Sequence, residues 1–196
     1  MPHAVNFLAL LTIFLFSNHP SFAQIDNSTN NNLTPYLKEA IEDYPNHFSN
    51  LQGRLVEENS QSSEYACNIK LPGTEYVSIT RYSSKKLDSW SWQALVLTTE
   101  DFEEARNKFR ALFGQLNKLA VKAVDGSPYY LEGRYELPRE GKKFNNIIFT
   151  LNTSEVNFEK LRVEIVLVYE PMEWKVKVLI YGRERDDQEQ GETVDG

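Results

Sequence analysis

The stretch that most restricts what this chain can become is Leu161–Arg183. Val163, Ile165, Leu167 and Tyr169 alternate with Glu164, Val166 and Val168, and Trp174, Val176, Val178 and Ile180 alternate with Lys175 and Lys177. Period-two alternation marks a strand with one buried face. With Pro171-Met172 as a two-residue turn, Leu161–Tyr169 and Trp174–Arg183 form a hairpin. Tyr169 then faces Trp174, Leu167 faces Val176, Ile165 faces Val178 and Val163 faces Ile180. Glu164, Val166, Lys175 and Lys177 share the other face, with Glu164 and Lys177 within diagonal reach. A one-residue slip would drive both lysines into the core, so the register is specified. The hairpin commits its chain to an antiparallel sheet.

Six further runs have strand character: Arg54–Glu58, Glu64–Leu71, Tyr76–Tyr82, Trp90–Thr98, Tyr129–Leu137 and Phe144–Leu151. Polar or turn-rich segments separate them, as expected of antiparallel neighbours. The sequence predicts two helices beside them. A short one starts with Thr34 as N-cap and Pro35 in its first turn, places Leu37, Ala40, Ile41 and Tyr44 on one side, and stops at Pro45. A long one runs from Thr99 to about Ala123, with a stripe of Phe102, Ala105, Phe109, Leu112, Phe113, Leu116, Leu119 and Ala120. Its acids cluster at the start, Lys118 and Lys122 lie near the end, and Glu104 and Lys108 form an i,i+4 pair.

These elements predict an α+β fold. An antiparallel sheet of about seven to eight strands carries one long and one short helix on a face. Residues 34–183 form the domain. Its two stretches, 34–98 and 99–183, are candidate copies of a helix-plus-strands unit at an offset of about 65. Phe48-Ser49-Asn50-Leu51 resembles Phe113-Gly114-Gln115-Leu116, and Lys70-Leu71-Pro72 resembles Glu136-Leu137-Pro138. Whether that duplication is real stays open at this level.

The chain's ends read differently. Ala4–Phe16 is an apolar run of about 13 residues, short of the roughly 20 that span a hydrocarbon core. Ser21-Phe22-Ala23 offers small residues before Gln24, so residues 1–23 read as a secretory signal peptide, although no Lys or Arg precedes the run. Residues 24–33 are a polar lead and 184–196 an acidic tail, both expected to be disordered. The expected destination is the periplasm or the extracellular medium. The net charge of −7 argues against a nucleic-acid partner. Five acids between Asp186 and Asp195 supply much of it, which leaves the rest of the chain at −2.

Catalytic signals are sparse. Past the leader the only histidine is His47, without a G-x-S-x-G elbow, an H-E-x-x-H pair or a cysteine partner. Cys67 is the single cysteine, and it shares an alternating face with Tyr65, Ile69 and Leu71. A three-residue turn at Pro72–Thr74 would set it opposite Ile79, as a core residue. The sequence has no P-loop, dinucleotide fingerprint or calcium loop, so no cofactor, metal site or catalytic residue is assigned. Asn27, Asn32 and Asn152 head N-x-S/T sequons that matter in a eukaryotic secretory host.

The aromatic residues are the best functional material. Trp90 and Trp92, two apart, share a strand face, and Tyr129 and Tyr130 point to opposite faces of theirs. Together these four are the candidate binding residues, because Trp and Tyr dominate interface hot spots. The competing reading places the Trp face under the long helix. The lysine pairs Lys85-Lys86 and Lys142-Lys143 read as solvated turns. The expected function is a non-enzymatic module that binds a protein or envelope component through an aromatic-bearing sheet face. The alternatives are a carrier of a small apolar ligand held between sheet and helix, and a carboxylate hydrolase.

Overall fold

The structure is a computed structural model, and it describes residues 32–84, 88–122, 126–153 and 155–183. The leader, the acidic tail, Asn27 and Lys85-Lys86 lie outside them. Nine strands form one sheet: β1 (Gln52–Glu58), β2 (Ser62–Cys67), β3 (Tyr76–Tyr82), β4 (Ser89–Thr99), β5 (Ala120–Lys122), β6 (Pro128–Gly133), β7 (Phe144–Leu151), β8 (Leu161–Glu170) and β9 (Glu173–Gly182). Their spatial order is β1-β2-β3-β4-β9-β8-β7-β6-β5, and every neighbouring pair is antiparallel. The helices are α1 (Thr34–Glu42), α2 (Phe102–Leu116) and the short α3 (Val156–Glu159), with a 3₁₀ turn at Tyr44–Asn46.

The β8–β9 hairpin has the register its alternation dictates: Tyr169 opposite Trp174, Leu167 opposite Val176, Ile165 opposite Val178, Val163 opposite Ile180. Met172 takes φ 68° in the turn, the left-handed position that a type II turn requires after Pro171. The diagonal pair Glu164–Lys177 does not form. Lys177 Nζ reaches back to Glu170 at 2.9 Å, while Glu164 accepts from Tyr181 Oη at 2.9 Å and Asn146 Nδ2 at 2.8 Å. Two hydrogen-bond donors satisfy this buried carboxylate without the cost of holding a lysine there.

Helix α2 lies over the middle of the sheet and meets β4, β8 and β9. Its stripe of Phe102, Ala105, Phe109, Leu112 and Leu116 is buried in the same core as Ala94, Val163, Ile165, Val176 and Val178 of those strands. Each large apolar side chain removed from water here contributes about 1.5–3 kcal/mol. Asp101 caps the helix, its carboxylate accepting from Glu103 N at 2.8 Å. Glu104 is engaged by Thr99 Oγ1 at 2.6 Å instead of pairing with Lys108.

The helix ends earlier than its stripe predicts. Asn117 is extended and Lys118 turns left-handed at φ 68°, and the chain leaves as a strand. Lys118 N donates to Leu131 O and Leu131 N to Leu119 O, so Leu119 and Ala120 belong to the β5–β6 pairing. This short edge strand is the ninth, beyond the seven or eight expected. Gly133 lets β6 pass close to Phe149, because a Cβ there would meet the ring at 2.5 Å.

Two smaller corrections concern the first half. Helix α1 is preceded by Leu33, without a side-chain cap, and Thr34 is its first helical residue. The β2–β3 pairing sets Tyr65 opposite Ile79, a slip of two residues from the pairing expected of a three-residue turn. Slipping by two keeps every side chain on its face, so Cys67 still packs against the core, half-buried.

Candidate functional site

The four candidate residues do not come together. Trp92 is 1% exposed and part of the core, which removes it as a contact residue. Its indole Nε1 is buried without an ordinary hydrogen-bond acceptor, and its contact with the Cys67 sulfur is a weak one. Burial outweighs that contact and pushes the Cys67 thiol up, the opposite of an activated nucleophile. Tyr129 is half-buried on the core side of β6, beside Val121, and Tyr130 is exposed on the opposite face. Four strand spacings separate β4 from β6, roughly 19 Å at 4.8 Å each.

Trp90 has different surroundings. It is half-buried and stacks with the ring of Tyr65 from β2, at 6.1 Å and 26°, and with that of His47, at 6.1 Å and 22°. The Arg81 guanidinium lies 5.9 Å from its ring centroid, a cation–π distance. Arg81 is opposite Trp90 in the β3–β4 ladder and donates through Nε and Nη2 to Asp88 Oδ2 at 3.0 and 2.6 Å. The pair is about two-fifths exposed, so it orients the guanidinium more than it stabilises the fold.

The loop after α1 delivers His47. Asp43, 6% exposed, accepts from Asn46 Nδ2 at 3.0 Å, from Asn50 N at 3.1 Å and from Asn50 Nδ2. Its carbonyl also accepts from Asn46 N and Phe48 N. With one residue gathering these donors, the chain turns through two successive left-handed positions, His47 at φ 55° and Phe48 at φ 57°. Non-glycine residues adopt this region at a cost and keep it only where surrounding contacts demand it. Here Phe48 is fully buried and His47 is left on the surface, against Trp90.

The cluster is therefore an aromatic platform with one oriented cation. The His47 ring packs against the Trp90 face, and burial disfavours Cys67 as a thiolate. Among the described residues no three His, Cys, Asp or Glu side chains converge as a metal site, and no helix is long and apolar enough to cross a membrane. Sequence reasoning missed Tyr65, Arg81 and His47. Tyr65 and Arg81 share an alternating face with Trp90 and were recoverable from a correct register, whereas nothing local announces the left-handed turn at His47.

Two other features bear on the alternatives. A cavity of about 500 Å³ lies at the β6–β7 connection, lined by Glu136, Leu137, Arg139, Lys142 and Asn145. Its charged lining differs from the apolar pocket between sheet and helix that a lipid carrier needs. Lys143 is exposed in the connection before β7, and its Nζ lies 4.4 Å from the Tyr169 ring and 5.1 Å from that of Trp174. Compared with known protein families, curated proteins and solved structures, the chain matches none at a significant level.

Proposed function

We propose that this chain is an exported, non-enzymatic binding module and that it grips a protein partner through the Trp90 platform. The observation that carries this reading is the contrast within one strand face: Trp92 is sealed in the core, while Trp90 is half-buried, stacked with two rings and within cation–π distance of Arg81. Trp, Tyr and Arg are the residues that most often anchor protein interfaces. Trp90→Ala should abolish partner capture from the exported-protein fraction of the source while leaving the fold intact. Unchanged capture by a folded Trp90→Ala variant rules the platform out. Export rests on residues 1–23 alone, and N-terminal sequencing of the mature protein should begin at Gln24; an intact leader would remove that part.

The same reading takes the two halves as a duplicated unit. Counted outward from the central β4–β9 pair, the strand order would match β1–β4 to β6–β9 and leave β5 as an addition. The offset of 65 matches β2 to β6 instead, so the support is the strand order and not the sequence similarity. Residues 99–183 alone should then pair through the freed β9 edge into a dimer, and a folded monomer would speak against duplication.

A further inference from the structure

Residues 134–143, which connect β6 to β7, set Arg134, Arg139, Lys142 and Lys143 against Glu136 and Glu140, a balance of +2 in a chain of net charge −7. The segment is neither helix nor strand, yet its backbone is tied down. Lys142 N donates to Arg139 O at 3.0 Å and closes a turn over residues 139–142. Asn145, 6% exposed, grips both ends of that turn: its Nδ2 donates to Lys142 O at 2.7 Å, and its Oδ1 accepts from Arg139 N at 3.4 Å. Tyr169 N donates to Lys143 O at 2.8 Å and fixes the exit against β8. The cavity of about 500 Å³ described above is lined by this turn, through Arg139, Lys142 and Asn145, and by Glu136 and Leu137.

Among the described residues, neither Arg139 nor Lys142 has an ion pair, whereas Arg81, Lys118, Lys175 and Lys177 each meet a carboxylate. Two like charges fixed at one cavity repel each other, and an anion between them removes that cost. We infer that this cavity binds a small organic phosphate through Arg139 and Lys142. A phosphate monoester places two negative charges on one group near neutral pH, matching the two cations, where a carboxylate has only one. Arg139 offers a planar fork of donors for two phosphate oxygens, and Lys142 a compact second charge. Inorganic phosphate alone would leave much of the cavity unfilled, since pockets of this size hold organic molecules. Leu137 supplies an apolar contact for the body of the ligand, and the Glu136 carboxylate an acceptor for a ligand hydroxyl. The site lies on the β6–β7 side of the sheet and does not depend on the partner proposed for Trp90.

An NMR titration of the backbone amides of the purified chain with glycerol 2-phosphate, at constant ionic strength, tests this. Saturable shifts centred on residues 139–145 are expected, with none from glycerol. Arg139→Gln and Lys142→Gln should each weaken binding by about tenfold. Both residues are exposed, so the denaturation midpoint should stay where it is. Shifts that grow linearly without saturating, shifts reproduced by sodium chloride, or an affinity indifferent to both substitutions would overturn the inference. Co-sedimentation separates a free ligand from a lipid headgroup. Phosphatidylcholine vesicles containing phosphatidic acid should retain no more protein than vesicles without it. Retention that needs Arg139 and Lys142 would assign the phosphate to a membrane and overturn the small-molecule ligand.

Discussion

The two ends of the sheet solve the same problem in opposite ways. At the β5 end a three-residue strand is held by α1, whose Leu37, Ala40 and Ile41 are fully buried and whose Glu42 takes an outward N–H. At the β1 end a seven-residue strand stays open, and the neighbouring strands carry Tyr65, Arg81 and Trp90. Covering an edge stabilises the fold and removes it from recognition, while an open edge keeps unpaired groups in water, ready for another chain. On the proposed reading, stability belongs to one end of the molecule and interaction to the other.

That division makes graded predictions. Ile41→Ala should cost about 2–5 kcal/mol in chemical denaturation, since it empties a fully buried site under α1. Leu55→Ala at the open edge should stay within roughly 0.5 kcal/mol, and comparable losses at both positions would break the comparison. Asp43→Ala leaves the Asn50 N–H and two side-chain amides without their acceptor. It should cost about 1–3 kcal/mol and shift tryptophan emission as His47 leaves Trp90; unaltered emission would mean that Asp43 does not hold the platform.

Smaller effects sharpen the contrast. Glu42→Ala should cost about 0.5–1.5 kcal/mol and speed hydrogen exchange at the Lys122 amide, with no change at Arg54–Glu58. The smallest is Glu170, whose carboxyl the Lys177 ammonium holds below the usual carboxylate range, with Lys175 assisting at 3.6 Å. A depressed folded pKa stabilises above the unfolded value, and that stabilisation is lost as pH falls through the folded value. With Glu170 two-fifths exposed, Glu170→Gln should cost less than about 1 kcal/mol near neutral pH and nothing in acid. A pH-independent difference would exclude the ion pair as its source.

How far the sequence alone could be read follows from which forces are local. The β8–β9 register was legible to the residue because alternation and a two-residue turn agree, and β3 and β7 were legible as whole strands. The end of α2 was not, because Leu119 and Ala120 extend a helical stripe as well as they fill a strand. The change rests on Lys118, whose left-handed turn has no local signal. Cys67 was read in the core with a register two residues off, since face parity survives a slip of two and loop length does not reveal itself. For Trp90 and Trp92 the shared face was legible. What divides them is burial, Trp92 sealed in the core and Trp90 half-buried beside His47, a tertiary fact with no trace in the strand.

The most direct test of the interaction end is site-specific photo-crosslinking at matched tyrosines. p-Benzoylphenylalanine replaces Tyr65, half-buried beside Trp90, or Tyr130, exposed on the opposite face beyond β7. After irradiation in the exported-protein fraction of the source, the position-65 probe should give a discrete heteromeric adduct that Trp90→Ala removes, and the position-130 probe should give none. Adducts from position 130 alone, or a position-65 adduct indifferent to Trp90→Ala, would contradict the account.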